Sequence, residues 1–447
     1  MDETKRLSTV DIIEIARAHV NRFTFQDIVD ISMVNSFFCG DCFDLSDKEI
    51  KDVELVVLLL ASAEKVSKQQ FDQASRILKV CDFLSSNNGS SVQRMVHYYT
   101  KALQEKIDQE TGANTSNIRE TKNGGLLLSD ENTVCMKPAL IKCYEMLPFV
   151  QVSVLAGIQA IVEHVASARK VHYIDLAIRT GGQCTALMQA LAIRNEVPLE
   201  LLKVTAIGTA EEAKIEETGK RLACFAESLN IPFSFKTAMV THMKDINEGR
   251  FEMEDGEVVA IYSSSVLCHL VGQPDCFKAL IRVRRNLNPC VMVVTECEAK
   301  LCSPIFMERF LEALSSSGSH FDYFEDSMDR DDQNRFAFEE TYFTRGIKNI
   351  VAEEDANRTH RIMTMDDWRK YLTKFGLVEA ALGSSSLYQA ELVKQLASGN
   401  CCTCQRNGES MIIKWKGAPL RSLSAWKFKE QEAPRQSCNG KQKSLGK

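Results

Sequence analysis

The sequence predicts an α/β protein: a mostly parallel sheet of about seven strands, helices on both faces, and an N-terminal helical cap. Three observations predict it. Between Val171 and Thr295, short apolar runs rich in β-formers alternate with helical segments of ~10–15 residues, the pattern of a parallel sheet. Before Val171 the apolar spacing is helical almost throughout. The 447 residues are 45% hydrophobic and 26% charged, which suits one large globular unit or two moderate ones and excludes a mainly disordered chain.

Element by element, residues 10–20 carry one short amphipathic pattern, and 37–47 read as a loop. Val53, Val56, Val57, Leu60 and Ala61 make one helical stripe. Phe71, Ala74, Ile77, Leu78 and Cys81 make a second. The SSNNGSS run at 85–91 is a turn before a third helix over 92–107. The polar stretch 109–131 reads as a linker, and helices resume over 139–145 and 153–164. These helices, from 53 to 163, are expected to sit together as the cap.

Strands are predicted over 171–178, 201–208, 232–235, 258–263 and 291–295, with helices over 185–194, 212–229 and 276–287 between them. Two late strands, 377–382 and 411–415, flank a polar Cys/Gly/Asn-rich loop at 397–408 and are expected to pair antiparallel at an edge. The run 171–176 should be a central, buried strand. Trp415 and Trp426 should both be buried.

Charge and cysteine content narrow the function classes. A net charge of −6 excludes a chain that coats nucleic acid by bulk charge, leaving open a local basic groove. No apolar run follows a basic cluster at the start, and no stretch nears the ~18 residues of a membrane span. A soluble intracellular protein without membrane contact is therefore expected. The 16 cysteines are scattered among apolar segments, as reduced core thiols are. Cys39 and Cys42 form one C-x-x-C pair, and Cys401 and Cys404 another. They stand far apart with no histidine close to either, so no zinc site is expected.

The densest candidate for chemistry is 171–190, where a strand ends in Asp175 and a loop with Gly181 and Gly182 leads into a helix. Ligands of doubly wound sheets bind at the carboxyl ends of strands, and a glycine turn lets backbone approach a nucleotide. S-adenosylmethionine-dependent methyltransferases begin this way, so a Rossmann-like sheet of that type is predicted. Yet Leu176-Ala177-Ile178-Arg179-Thr180 sets bulky side chains where backbone would touch the cofactor. The second strand ends Ile207-Gly208-Thr209, without an acid for ribose hydroxyls. Two readings stand: a cofactor site, or the scaffold without one.

Other clusters also read two ways. His172 lies inside the first strand and reads as a structural histidine rather than a base. Arg345, Arg358 and Arg361 either hold a phosphate or carboxylate, with Glu353 orienting one, or form structural ion pairs. Arg282, Arg284 and Arg285 are candidate phosphate or DNA contacts, or a solvated helix face. The 306–321 helix, with Phe306, Phe310, Leu314 and Phe321, and the helices over 53–107 are packing surfaces or, if exposed, docks for partners. No G-x-S-x-G, H-E-x-x-H or P-loop is present.

These segments, in this order, resemble the GRAS family of plant transcriptional regulators. The VHIID motif is matched by Val171-His172-Tyr173-Ile174-Asp175, followed by Gly181, Gln183 and the run Leu187 to Ala192. The regions 53–107 and 201–229 resemble the family's two leucine-rich regions, with ETGKRLACFAESLNIPF at 217–233 very similar to the second. PFYRE-type sequence is visible in 306–325, Arg345, Asn349 to Glu353, and Arg358. The SAW motif is visible in Trp415 and in Ser424-Ala425-Trp426. Departures are Cys184-Thr185 for Trp-Pro, Ala206 for glycine in the second strand, and Tyr262 for an asparagine in the fourth. DELLA and TVHYNP sequences do not occur at the N-terminus.

The resemblance implies a nuclear regulator of transcription that is not an enzyme and carries no catalytic residue, cofactor or metal. It implies partners that are other transcription factors, homo- or hetero-dimers with GRAS proteins, and DNA met directly or through partners. A methyltransferase-like enzyme and a small-molecule-sensing module are the alternatives. The expected organisation is a short N-terminal region 1–51, a GRAS domain 52–428 (cap mainly within 52–165, α/β core 166–428), and a disordered basic tail 429–447.

Overall fold

The structure, a computed structural model, describes residues 7–22, 45–113, 147–209, 212–354, 357–398 and 401–429. The predicted helix over 139–145, the Cys39/Cys42 pair, the basic tail and most of the 109–131 linker lie outside the described residues.

Among the described residues, four helices open the chain: α1 (Thr9–Arg22), α2 (Asp47–Ser67), α3 (Phe71–Leu84) and α4 (Ser91–Thr111). Ser46 with Glu49 and Ser90 with Gln93 form reciprocal capping boxes that start α2 and α4. The SSNNGSS turn thus ends in the cap of the next helix. α5 (Pro148–His164) does not join this group. It lies against the sheet, burying Phe149, Val150, Val152, Ala156, Ile158 and Ile161. A helix apolar on nearly all sides needs cover on all sides, and the sheet with a late helix supplies it.

The parallel strands follow: β1 (Lys170–Asp175), β2 (Leu201–Gly208), β3 (Phe233–Met239), β4 (Glu257–Ser264) and β5 (Val291–Cys297). α6 (Gly182–Ala192), α7 (Glu212–Ser228) and α8 (Pro274–Leu287) alternate with them. α9 (Phe306–Ser327), α10 (Thr344–Val351) and α11 (Met365–Thr373) lead to β6 (Leu377–Ala380). α12 (Ser384–Ser398) precedes β7 (Cys402–Asn407), β8 (Ser410–Trp415) and β9 (Ala418–Phe428).

One nine-stranded sheet results, with order β3-β2-β1-β4-β5-β9-β8-β7 and β6 also on β9. Its parallel half is Rossmann-like, and its antiparallel end completes the methyltransferase-type α/β class. β1 is central between β2 and β4, in register Asp175 to Ala206 and to Tyr262. Alternate residues feed two apolar layers. Val171, Tyr173, Tyr262 and Val293 enter the layer continuous with the helical cap. Ile174, Ile261, Met292 and Trp426 enter the layer under α8 and α11.

Nine strands stand where about seven were expected. The 397–408 stretch read as a loop contains β7, an edge strand whose polar face meets solvent, so no apolar alternation marks it. The strands at 377–380 and 410–415 do not pair with each other. Both pair with β9, whose 11 residues give one edge to β5 and share the other between β8 and β6. The β8–β9 hairpin turns at Lys416 and Gly417, with φ of 46° and 90°, the positive pair that fits strand twist.

α9 and α10 belong to the helical layer at the N-terminal end of the chain. Tyr98 stacks on Phe321 and Tyr99 meets Phe310 edge-on, at centroid separations of 5.9 and 5.4 Å. The apolar faces of 53–107 and 306–321 are therefore largely core, not exposed docks as the alternative reading had them.

Candidate functional site

The loop after β1 is built around Asp175, which is buried. Its Oδ1 accepts the Ala177 N–H at 2.9 Å. Its Oδ2 accepts the Tyr173 hydroxyl and the Gln183 amide, each at 2.9 Å. Gln183 also donates to the Ile178 carbonyl at 3.0 Å. Burial raises the Asp175 pKa, and donors from Gln183, Ala177 and Tyr173 oppose that shift. Gly181 opens α6 at φ 77°; a Cβ there would meet Leu222 and Thr218 at 3.1 Å. Asp175 and Gln183 are thus joined directly, while Gly181, between them, forms the turn that opens the helix.

This loop does not fit S-adenosylmethionine. Leu176, Ala177 and Ile178 are buried in it, and the Asp175 oxygens are already engaged by the chain. β2 ends at Ile207 and Gly208 with no carboxylate for ribose hydroxyls. Asp175→Ala should cost about 1–3 kcal/mol, because three donors lose their acceptor. Denaturant unfolding measures it; an unchanged midpoint would remove the loop-ordering role.

His172 stands near the opposite end of β1. Its Nε2 is 2.8 Å from Thr205 Oγ1 and its Nδ1 3.2 Å from Glu257 Oε2. Burial pulls its pKa down to about 4, so it is neutral at pH 7 and serves packing there. Lys203 also reaches Glu257, at 2.5 Å. These groups lie away from the loop of Asp175.

The basic cluster on α8 divides. Arg282 and Arg285 are exposed, and Arg285 lies over the Phe428 ring. Arg284 is buried with Nη1 2.6 Å from Met292 Sδ, and burial pushes its pKa down to about 9. It is no DNA contact. Its place on the helix face turned to the sheet decides this, which spacing from Arg282 already allowed to be read.

The PFYRE-type residues do not form one anion site. Asn349 braces the following segment, donating to Thr359 Oγ1 at 2.8 Å and accepting from His360 N–H at 3.0 Å. Arg358 is buried and donates to the Ser303 carbonyl at 3.3 Å, with burial lowering its pKa to about 10. Glu353 does not orient it. Burial raises the Glu353 pKa, and Lys348 is the first cation to oppose that. The carboxylate that takes an arginine is its neighbour Glu354, bound by Arg309 through both oxygens at 2.8 Å and by Lys106 at 2.9 Å.

Arg345 instead lines a cleft at the carboxyl ends of β4 and β5. Ser265 and Cys297 form its floor, Ala313 and His320 one wall, and Phe343 and Ile347 another. The rings of His269 and His360 meet there at 4.2 Å. The cleft has about 970 Å³ of empty space including its solvent-open mouth. Its histidines, His269, His320 and His360, come from segments 40 to 91 residues apart along the chain and share no spacing signal.

Trp415 and Trp426 are both buried, in β8 and β9. Trp415 meets Tyr323 edge-on at 5.0 Å, tying the sheet to α9. Trp426 sits opposite Met292 of β5 and donates to Ser424 Oγ at 2.9 Å.

Arg94 was missed by sequence reasoning. Buried on α4, it bonds Glu325 at 2.5 Å, Glu339 at 3.1 Å, and the carbonyls of Gly89 and Phe321 at 3.0 and 3.1 Å. Arg335 also reaches Glu339, at 3.2 Å. The one available signal was a charged residue within the apolar periodicity of 92–107.

Comparison with known proteins agrees with this architecture. The GRAS domain family model matches residues 55–427. The DELLA protein GAIP of Cucurbita maxima is 28% identical over 389 residues, 86% of this chain and 64% of its own length. The DELLA protein RGL3 of Arabidopsis thaliana is 29% identical over 379 residues, 84% of this chain and 69% of its own. The chain thus spans just under two thirds of the first of these relatives. The crystal structure of SCL7 of Oryza sativa superposes with a TM-score of 0.71 at 25% identity, covering 83% of this chain and 99% of that one. With a matched fold and a family model over most of its length, this chain belongs to the GRAS domain family, a family of plant transcriptional regulators.

Proposed function

We propose that this protein acts in the nucleus as a non-enzymatic regulator of transcription, bound to DNA-binding factors through protein–protein contacts. The observation that carries the reading is an exposed apolar stripe on α12. Tyr388, Leu392 and Leu396, each one helical turn from the next, face solvent, with Tyr388 69% and Leu396 80% exposed. Such a stripe on one helix face marks a surface for a partner helix. Phe83, 86% exposed, and Leu84 end α3 as a second candidate contact. The engaged Asp175 loop supports the non-enzymatic half of the reading. The partners are transcription factors, or GRAS proteins in homo- or hetero-dimers. The region 52–428 works as one GRAS unit in this proposal.

DNA contact by the chain alone is expected to be weak. With Arg284 buried, Arg282 and Arg285 remain as the exposed cations of that cluster, too few for the phosphate contacts and base-edge readout of a specific site. In a gel-shift titration at physiological salt, the purified chain should bind weakly and lose affinity as salt rises. A dissociation constant near ~10⁻⁸ M with sequence preference and no partner would overturn this. Replacing Tyr388, Leu392 and Leu396 together by serine should abolish partner-dependent promoter binding while leaving the melting temperature unchanged; retained recruitment would remove the stripe from the reading.

A further inference from the structure

We propose that the cleft at the carboxyl ends of β4 and β5 binds a small apolar acid, a hydrocarbon body bearing one carboxylate. This inference is independent of the partner surface on α12 and lies apart from the closed loop of Asp175.

The position is one that sheets of this class use. Loops at the carboxyl ends of parallel strands enclose ligands. The body of the cleft is aliphatic and aromatic, with Leu301, Phe343, Ile347, Ile350 and Ile362 facing it. Its ionisable character is one-sided. Among the described residues that line it, none is Asp or Glu, whereas Arg345 and three histidines are present. The Arg421 guanidinium lies just behind the floor, 3.2 Å from Ser265 Oγ. One carboxylate behind that floor, Glu296, accepts the amides of Val266 and Leu267 at 3.1 and 2.8 Å and also interacts with the Cys268 side chain, so donors of the 266–268 turn hold its charge. Burial pulls the His320 pKa down to about 4, so Arg345 is the lining residue that brings a permanent charge, and an apolar cavity with one cation and no lining acid selects an apolar anion.

The backbone of the cleft is unusual in two places. Ser265 holds the left-handed conformation at φ 52°, donating its N–H to the Thr295 carbonyl at 2.8 Å. Thr341, Tyr342 and Phe343 lie on a π-helical turn, Glu339–Phe343. Strained residues and π-turns cost stability and collect at binding sites. Here two such features, from segments far apart in sequence, face one cavity.

The test uses the full chain and the fluorescent anion 8-anilinonaphthalene-1-sulfonate, with decanoate and decanol as competitors. Saturable binding at one site is expected, with decanoate displacing the dye roughly tenfold better than decanol, the size of one charge-assisted contact. Arg345→Gln should erase that preference. Gly346 lies in the wall with open space where a Cβ would stand, and helices favour Leu over Gly. Gly346→Leu should therefore fill the cleft and abolish decanoate-sensitive binding at an unchanged melting temperature. Equal displacement by acid and alcohol, or full decanoate-sensitive binding in Gly346→Leu, would overturn the proposal. Should Gly346→Leu fail to fold, an undiminished acid preference in Arg345→Gln overturns it alone.

Discussion

Arg94→Ala is expected to lower the stability of the chain by about 3–5 kcal/mol, the cost of stranding buried charges when one partner is removed. Arg94 is the only side chain described that touches Glu325, Glu339 and two backbone carbonyls at once, across α4, α9 and the turn that follows. Removing it leaves Glu339, which is buried, with Arg335 as its remaining cation. Burial already raises the Glu339 pKa, and Arg94 is the first group that opposes it. Urea unfolding of the purified variant measures the loss. The double variant Arg94→Met, Glu339→Leu should recover only part of it, because buried Arg335 then loses its own carboxylate. A single-variant loss below about 1 kcal/mol would mean that the cluster is solvated and weak.

The second large effect lies at the other end of the chain. Trp426→Ala should cost about 3–5 kcal/mol, because a fully buried indole is replaced by a cavity in the layer under α8 and α11. Truncation before Met411 should be more severe and yield aggregated protein. It deletes β8 and β9 together, so β5 loses its antiparallel neighbour and β6 the strand it pairs with. An uncovered β5 edge is a template for pairing between chains. A folded, monodisperse product by light scattering would show that the parallel half stands without this end.

The parallel half was legible in the sequence because burial on both faces writes near-continuous apolar runs. β2 matched its predicted span Leu201–Gly208 residue for residue. β7 was not legible, since Thr403, Gln405 and Arg406 belong to a solvent-facing edge and carry no apolar signal. α11 and α12 fell outside the predicted elements, although Trp368 and Ala390 are buried in them. The membership of α5 was misread because periodicity gives the faces of a helix and not its neighbours. The same limit governed the candidate sites. Asp175 and Gln183 lie eight residues apart, and their bond follows from local geometry. The cleft of Arg345 depends on side chains from the 265–269 segment after β4, β5, α9, α10 and the 357–362 segment, which only the tertiary fold assembles.

The clasp made by Arg94 also sets a timetable for synthesis. The chain leaves the ribosome from its N-terminus, yet the two carboxylates that Arg94 binds are encoded 231 and 245 residues later. At the ~5–20 residues per second of translation, the apolar faces of α2 and α4 wait roughly ten to fifty seconds for α9 to arrive. Thr9 of α1 waits longer still, for Asp322, 313 residues on. Throughout that interval the nascent helices present uncovered leucine and valine, the kind of surface on which incomplete chains aggregate.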